Sequence, residues 1–419
     1  MRWFIALLLP GLLVAQSPFH AARLERVDSF LHHLVDEGII PNAQALVLHR
    51  GEPVYRSTFG QADLASGRPA RPDDIYRIAS QTKALVSVGL MKLYERGAFL
   101  LEDPISKYLP AFAGTQVLGP PDSVSGERAL LPLARPITIR HLLSHTSGIP
   151  YELPDGLDAD YPVPFFASLE PVTTEEVVNR IAARPLVAQP GEAFVYGLST
   201  DVIGRLVEVL SGQPLDVYMQ AEVFGPLGMV DSYFYLPEDK RDRLVTLYTK
   251  PPGAAALVVH ENDTYRDFAI RGAQTYFSAG AGSVGTIDDY ARFCQMLLNG
   301  GELDGVRMLS PRTVALMTRN QIGDLEVWDR QDKFGLGFQL ITAGSHYGDL
   351  ASPGSFTWGG LYCSEYTIDP AEELVLLVYT NVHPIPQYAE VVRKFRVLVL
   401  DMRYSICDLA AAGGCSLRS

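Results

Sequence analysis

The chain predicts an α+β fold, with a sheet domain built from both ends of the sequence and a mainly helical domain inserted between them. Three observations carry this reading. Strand-like runs occur near the N-terminus and again after Phe334; the middle third carries helix signals joined by Pro-rich loops; and helical periodicity flanks the strands at both ends. With 419 residues and 47 % hydrophobic content, the chain can bury a large core.

In chain order, Met1-Arg2-Trp3, the apolar run FIALLLPGLLVA and AQS form the charged start, apolar middle and small-residue end of a signal peptide, assigned to residues 1–16. The run is shorter than the roughly 20 residues of a membrane span, and no Cys marks a lipid attachment site. The expected mature protein is therefore secreted or periplasmic, with no stable membrane span. HAARLERVDSFLHHLVDEG places Leu24, Val27, Leu31 and Leu34 on one helical face, ended by Gly38, with His32 and His33 as a surface pair. NAQALVLHRGEPVYRSTFGQAD reads as a hairpin turning at Arg50-Gly51-Glu52-Pro53.

Helix signals follow at Ile137–His145, at Thr173–Ala183 behind a Thr173/Glu176 capping box, and at Ser199–Leu210. FGLGFQLI, SFTWGGLYCSEYTI and ELVLLVYTN then read as strands, and a helix runs from Gln387 to about Met402. The expected division is 17–85 with 275–405 for the sheet domain, 86–274 for the helical domain, and 406–419 for a tail. Cys407 and Cys415 lie close enough for a disulfide, although free thiols fit equally well; with Cys294 and Cys363 they make no metal-ligand spacing. A formal charge of −13 with dispersed Lys and Arg offers no basic stripe, which argues against a nucleic-acid partner.

RIASQTKALVSVGLMKLYERG, residues 77–97, places one charge on an unexpected side. At 100° per residue, Gln81, Lys92, Glu95 and Arg96 share an arc that reads as the wet side, with Lys83 opposite them beside Leu90 and Tyr94. Ser80 precedes Lys83 by one turn. A serine hydroxyl becomes a nucleophile when a base takes its proton, and a desolvated lysine can be that base. Bringing Lys from its ordinary value to neutrality near pH 7 takes a shift of about 3 units, roughly 4 kcal/mol. Taken alone, the pair also fits an N-cap and a snorkelling lysine, and about one or two Ser-x-x-Lys strings arise by chance in such a length.

Two further segments add weight. Glu192–Glu208 sets Tyr196 just before a helix, where a phenol can share a proton with a lysine, and Thr357-Trp358-Gly359-Gly360-Leu361 is a strand whose glycines permit close approach of a ligand or tight packing. In this order and spacing, the segments resemble the serine β-lactamase and penicillin-binding-protein superfamily. The branch in question contains class C β-lactamases, D-alanyl-D-alanine carboxypeptidases, family VIII carboxylesterases and lovastatin-type acyltransferases. ITIRHLLSHTSGIPY (137–151), VFGPLGMVDSYF (223–234) and AGAGSVGTIDDYARFCQMLLNGG (279–301) are similar to that branch as well.

The resemblance implies a β-lactamase-like fold in which Ser80 is the acylated nucleophile, Lys83 its base and Tyr196 the proton relay. It also implies an oxyanion hole at the N–H groups of Ser80 and Leu361, and substrate contacts at Trp358, Gly359, Gly360 and Tyr362. It implies no metal or organic cofactor and a small-molecule ester or amide as substrate. Two departures stand out. Leu198 replaces the Asn of a Tyr-x-Asn motif, with Ser199 near, and Trp358 replaces the cation of Lys-Thr-Gly. The latter loses a charge-assisted contact worth about 1.5–3 kcal/mol to a substrate carboxylate. The tryptophan variant is similar to that of the family VIII esterases and shifts the expectation toward neutral, partly apolar esters. A β-lactamase or D-alanyl-D-alanine carboxypeptidase is the alternative within the class, and a penicillin-binding sensor without turnover the alternative outside it.

Other motifs point elsewhere. Gly280-Ala-Gly282-Ser-Val-Gly285 matches a dinucleotide fingerprint, but Asp288 and Asp289 open the next helix where a pyrophosphate needs a positive end; the same run is one residue short of a GxSxG elbow. His141 and His145 have zinc-helix spacing, yet Leu142 stands where a protease of that type needs Glu, so a helix end whose histidines satisfy backbone groups is the expected role. The acyl pocket is expected to draw on the Tyr161–Phe166 loop, Tyr276, Phe277 and Tyr362.

Overall fold

The structure, a computed structural model, describes residues 21–401 apart from 165 and 252; the signal-peptide segment and the Cys407/Cys415 tail lie outside the described residues. Eight strands form one sheet: β1 (Asn42–His49), β2 (Glu52–Asp63), β3 (Arg68–Pro69), β4 (Lys333–Phe334), β5 (Gln339–Leu340), β6 (Phe356–Gly360), β7 (Ser364–Asp369) and β8 (Leu374–Tyr379). Their spatial order is β4-β5-β6-β7-β8-β1-β2-β3, so β8 from the end of the chain pairs antiparallel with β1 from its start. The hairpin turn falls where expected, with Arg50 and Gly51 at φ 55° and 84°.

The period of two sorts β1 and β8 between two cores. Ala43, Ala45, Val47, Leu374, Leu376 and Val378 face one layer, made by α1 (Ala21–Asp36) and the last described helix, α7 (Tyr388–Leu400). Leu46, Leu48, Val375, Leu377 and Tyr379 face the larger core, which holds α2 (Thr82–Glu95) and α6 (Ile287–Leu298). On α1, Val27, Leu31 and Leu34 are buried as its periodicity requires, and Gly38 closes it at φ 58°.

Between the two halves of the sheet lie α3 (Ile139–Leu143), α4 (Thr174–Ala183) and α5 (Ser199–Ser211). α4 has the Thr173/Glu176 capping box in both directions. α3 is shorter than its sequence pattern, because it ends at Ser144 and His145 turns the chain at φ 54°. His141 does satisfy a backbone group, its Nδ1 accepting from Thr138 N–H at 3.2 Å. His145 does not: its ring is enclosed by Tyr196, Phe194 and Phe334, and its buried Nδ1 has no partner among the described residues. Among the described residues no helix is long and apolar enough to cross a membrane.

Candidate active site

Ser80 sits in a 3₁₀ turn, Ala79–Gln81, that precedes α2. Ala79 has φ 44°, a left-handed conformation costing a residue with a Cβ about 1–3 kcal/mol, and the surroundings over-determine it. Ile78 N–H donates to Ser283 O (3.2 Å), Thr82 Oγ1 to Ala79 O (2.6 Å) and Tyr290 OH to Gln81 O (3.0 Å). Gln81 itself corrects the helical-wheel expectation: it is fully buried, its amide bonded to Tyr379 OH (2.8 Å) and Ser364 Oγ (3.1 Å). It lies in the tighter turn before the α-helix, where a 100° step does not apply. Lys92 is half-buried and Glu95 and Arg96 are exposed, as the wheel requires.

Lys83 is 2 % exposed and donates three hydrogen bonds, to Ser80 Oγ (3.2 Å), Tyr151 OH (2.7 Å) and Gly280 O (2.7 Å). These use all three protons of an ammonium; a neutral amine would keep two of them and turn its lone pair to Ser80. Gly280 is held from its other side. Asp201 on α5 accepts from Gly280 N–H (3.3 Å), Ser278 Oγ (2.8 Å) and Tyr276 OH (3.4 Å), and a Cβ on Gly280 would lie 2.5 Å from its carboxylate. Burial pushes the Asp201 carboxyl up, while Lys83 and these donors hold it down. The run that mimics a dinucleotide fingerprint thus supplies the carbonyl that orients Lys83.

Two tyrosines stand over the lysine. Tyr151 OH accepts from Lys83 and lies within hydrogen-bonding range of the hydroxyls of Ser80 and Tyr196, and burial, with Tyr196 beside it, raises its phenol well above the ordinary value. Tyr196 has its ring 4.8 Å from Lys83 Nζ, and its hydroxyl accepts from Trp358 Nε1 at 3.1 Å. The two rings meet edge to face at 5.3 Å because Gly197 lets their loops touch; a Cβ there would sit 2.2 Å from Ile149 O. Tyr151 lay unread within the quoted ITIRHLLSHTSGIPY, since a tyrosine after a Gly-Ile-Pro turn carries no spacing relation to Ser80. Ser199 is buried and bonded to Ser147 (2.8 Å).

Ser80, Leu361, Trp358 and Gly359 line a cavity of about 540 Å³, together with Tyr151, Tyr196, Phe166 and Trp328. That volume lies within the range of small-molecule sites. Trp358 stacks on Trp328 at 5.4 Å, so the position expected to lack a cation is filled by indole. The glycines beside it serve packing. A Cβ on Gly359 would meet Tyr388 OH at 2.1 Å, and one on Gly360 would meet Ile78 O at 2.5 Å, beneath the Ser80 turn. Tyr362 is buried against Ala79, Leu247 and Ala281, and Tyr276 and Phe277 lie in the main core; from the Tyr161–Phe166 loop, Phe166 reaches the cavity. Burial, with His260 stacked beside it, pushes His383 down to about 4.

Comparison with known proteins bears on the family and the fold. The family model described as Beta-lactamase matches residues 27–401. The chain is 30 % identical over 381 residues to Esterase EstB of Burkholderia gladioli, covering 86 % of this chain and 91 % of that one. It is 32 % identical over 305 residues to the lovastatin esterase of Penicillium rubens, covering 71 % and 73 %. Among solved structures, EstCE1, described as a hydrolase with promiscuous acyltransferase activity, aligns with a TM-score of 0.76 at 26 % identity, over 92 % of this chain and 99 % of that one.

Proposed function

Given that the chain belongs to the β-lactamase family of serine hydrolases and acyl-transfer enzymes, we propose that it cleaves or transfers the acyl group of esters through an acyl-enzyme on Ser80. The observation that carries this reading is the buried Lys83, 3.2 Å from Ser80 Oγ at the end of an aromatic-lined cavity. In the neutral amine form, Lys83 takes the Ser80 proton as Oγ attacks the ester carbonyl carbon. The backbone N–H groups of Ser80 and Leu361 receive the oxyanion, a contribution of about 3–4 kcal/mol per donor in related chemistry.

Collapse of the tetrahedral intermediate breaks the bond to the alcohol, whose oxygen takes a proton through Tyr196. Tyr151 remains a neutral phenol at working pH, so it serves as a shuttle that accepts from Lys83 while donating to a neighbouring hydroxyl. Water or a second alcohol then attacks the acyl-enzyme by the reverse route.

Esters are favoured over β-lactams and D-Ala-D-Ala peptides by the Trp358 indole, which stands against the cavity where a carboxylate-binding cation is otherwise expected. We place the mature enzyme outside the cytoplasm, in keeping with the leader-like residues 1–16. The test compares kcat/KM for a short-chain aryl ester, a chromogenic cephalosporin and a D-Ala-D-Ala peptide. Ester turnover should exceed both others; faster β-lactam or peptide turnover would contradict the reading.

A further inference from the structure

The cavity also carries charge. Two ionic side chains line the cavity, Arg330 and Glu365. Glu365 is 5 % exposed and ion-paired with Arg396, itself 1 % exposed, which also donates to Tyr347 O at 2.7 Å. Its charge is thus balanced within the protein.

Arg330 is not so balanced. Its Cζ lies 4.3 Å from the Tyr347 ring and 4.8 Å from the Trp328 ring, and among the described residues no carboxylate comes within ion-pair distance of it. Asp332 feels its charge, but that carboxylate is buried and bonded to Gln339 (2.5 Å). Trp328, Asp329 and Gln331, around it, all have positive φ, at 50°, 58° and 59°, a strained setting for residues with a Cβ. The two aromatic rings fix the guanidinium plane, and a half-exposed guanidinium so held offers paired N–H groups to a planar oxyanion.

A cluster of three rings connects this cation to the reactive end. Tyr196 meets Trp358 at 5.0 Å and Trp328 at 5.5 Å, the two indoles stack at 5.4 Å, and Trp328 carries Arg330. Tyr196 is the group assigned above to protonate the departing alcohol, so the cluster adjoins the place where that alcohol sits. From this we propose that Arg330 determines specificity by binding a carboxylate on the alcohol portion of the ester, separated from the scissile bond by a short apolar stretch that lies against Trp328 and Trp358. The inference rests on the ester reading and names the class of ester. The chain's formal charge of −13 makes a local cation more necessary for such a substrate, because the overall field opposes its approach.

The test uses butyrate esters of ω-hydroxyalkanoic acids of graded length, each as the free acid and as its methyl ester, with product release followed by chromatography. Monoesters of dicarboxylic acids, which carry the charge on the acyl side, form a second arm. For one chain length, wild type should prefer the free acid by about tenfold in kcat/KM at low salt, the gain lying in KM and shrinking as salt rises. In Arg330→Gln the free-acid to methyl-ester ratio should fall to about one, and Arg330→Lys should restore part of it.

A ratio near one in wild type, a ratio unaltered in Arg330→Gln, or a preference confined to the acyl-side arm overturns the proposal. Failure to cleave any ester would instead overturn the ester reading. Carboxylate binding is then read separately, in Ser80→Ala, as quenching of Trp328 and Trp358 fluorescence by the free hydroxy acids. That quenching should vanish in Ser80→Ala with Arg330→Gln, and its persistence there would equally overturn the assignment of Arg330.

Discussion

Lys83 meets three acceptors, and the proposed mechanism gives each a different task. In it Ser80 Oγ is the group to be deprotonated and Tyr151 the outlet for the proton, while Gly280 O is the fixed point that sets the direction of the amine. Tyr151→Phe and Tyr196→Phe should each lower kcat by about 10²–10⁴-fold, the usual worth of a proton-transfer group. Because the two hydroxyls adjoin, the double variant should lose less than the product of the single losses; full multiplicativity would show that they act independently. Asp201 touches no reacting atom and acts through Gly280. Asp201→Asn should lower kcat with KM little changed, because it weakens the hold on Gly280, whose carbonyl directs Lys83, whereas a merely structural role would show as lost stability with the kcat of the folded protein intact. The Ser80–Lys83 pair was legible from its helical spacing, and Tyr196 and Trp358 from the resemblance of their segments to a known family. Tyr151, Asp201 and Gly280 were not, since loop closure and helix packing, which leave no periodic trace, bring them to the lysine.

The elements repeat this contrast. Strands with a strict period of two and helices with explicit caps match their sequence patterns, as β1, β8 and α4 show. Misreadings concentrate where the backbone leaves the regular helix: Gln81 in a 3₁₀ turn, and His145 past the early end of α3. Helix α6 offers a test at this scale. Asp289 in its first turn accepts from Asp231 N–H (2.7 Å) and Ser232 Oγ (2.8 Å), yet burial outweighs them and raises its carboxyl to about 6. A carboxyl whose folded value exceeds its unfolded value binds more protons when folded, so stability falls as pH rises between the two values. The full penalty above pH 6 is about 3 kcal/mol, and it is absent below about pH 4. Urea melts should therefore show a stability slope between these pH values that disappears in Asp289→Asn; an unchanged slope would assign it to other groups.

At the scale of the whole molecule, the β1–β8 pairing ties the beginning of the described chain to its end, with α1 and α7 covering the same face. Neither half of the sheet can form its core without the other, so loss of α7 should expose Val47, Leu376 and Val378 together and unfold the sheet. Truncation before Tyr388 is accordingly expected to yield no folded protein. In the intact chain, unfolding of the cavity, reported by Trp328 and Trp358 fluorescence, should coincide with loss of far-ultraviolet dichroism; separate transitions would show that the sheet and the helical layer unfold independently. The same closure positions the site, because β6 and β7 bring Trp358 and Ser364 against the Ser80 turn that follows the N-terminal hairpin. The measurement that bears most directly on function is the intact mass of wild type and Ser80→Ala after exposure to a fluorophosphonate and to a slowly deacylating aryl ester. We expect a single adduct on wild type, mapped by peptide digestion to Ser80, and none on Ser80→Ala. An unmodified wild type, or equal labelling of Ser80→Ala, would contradict an acyl-enzyme on this serine.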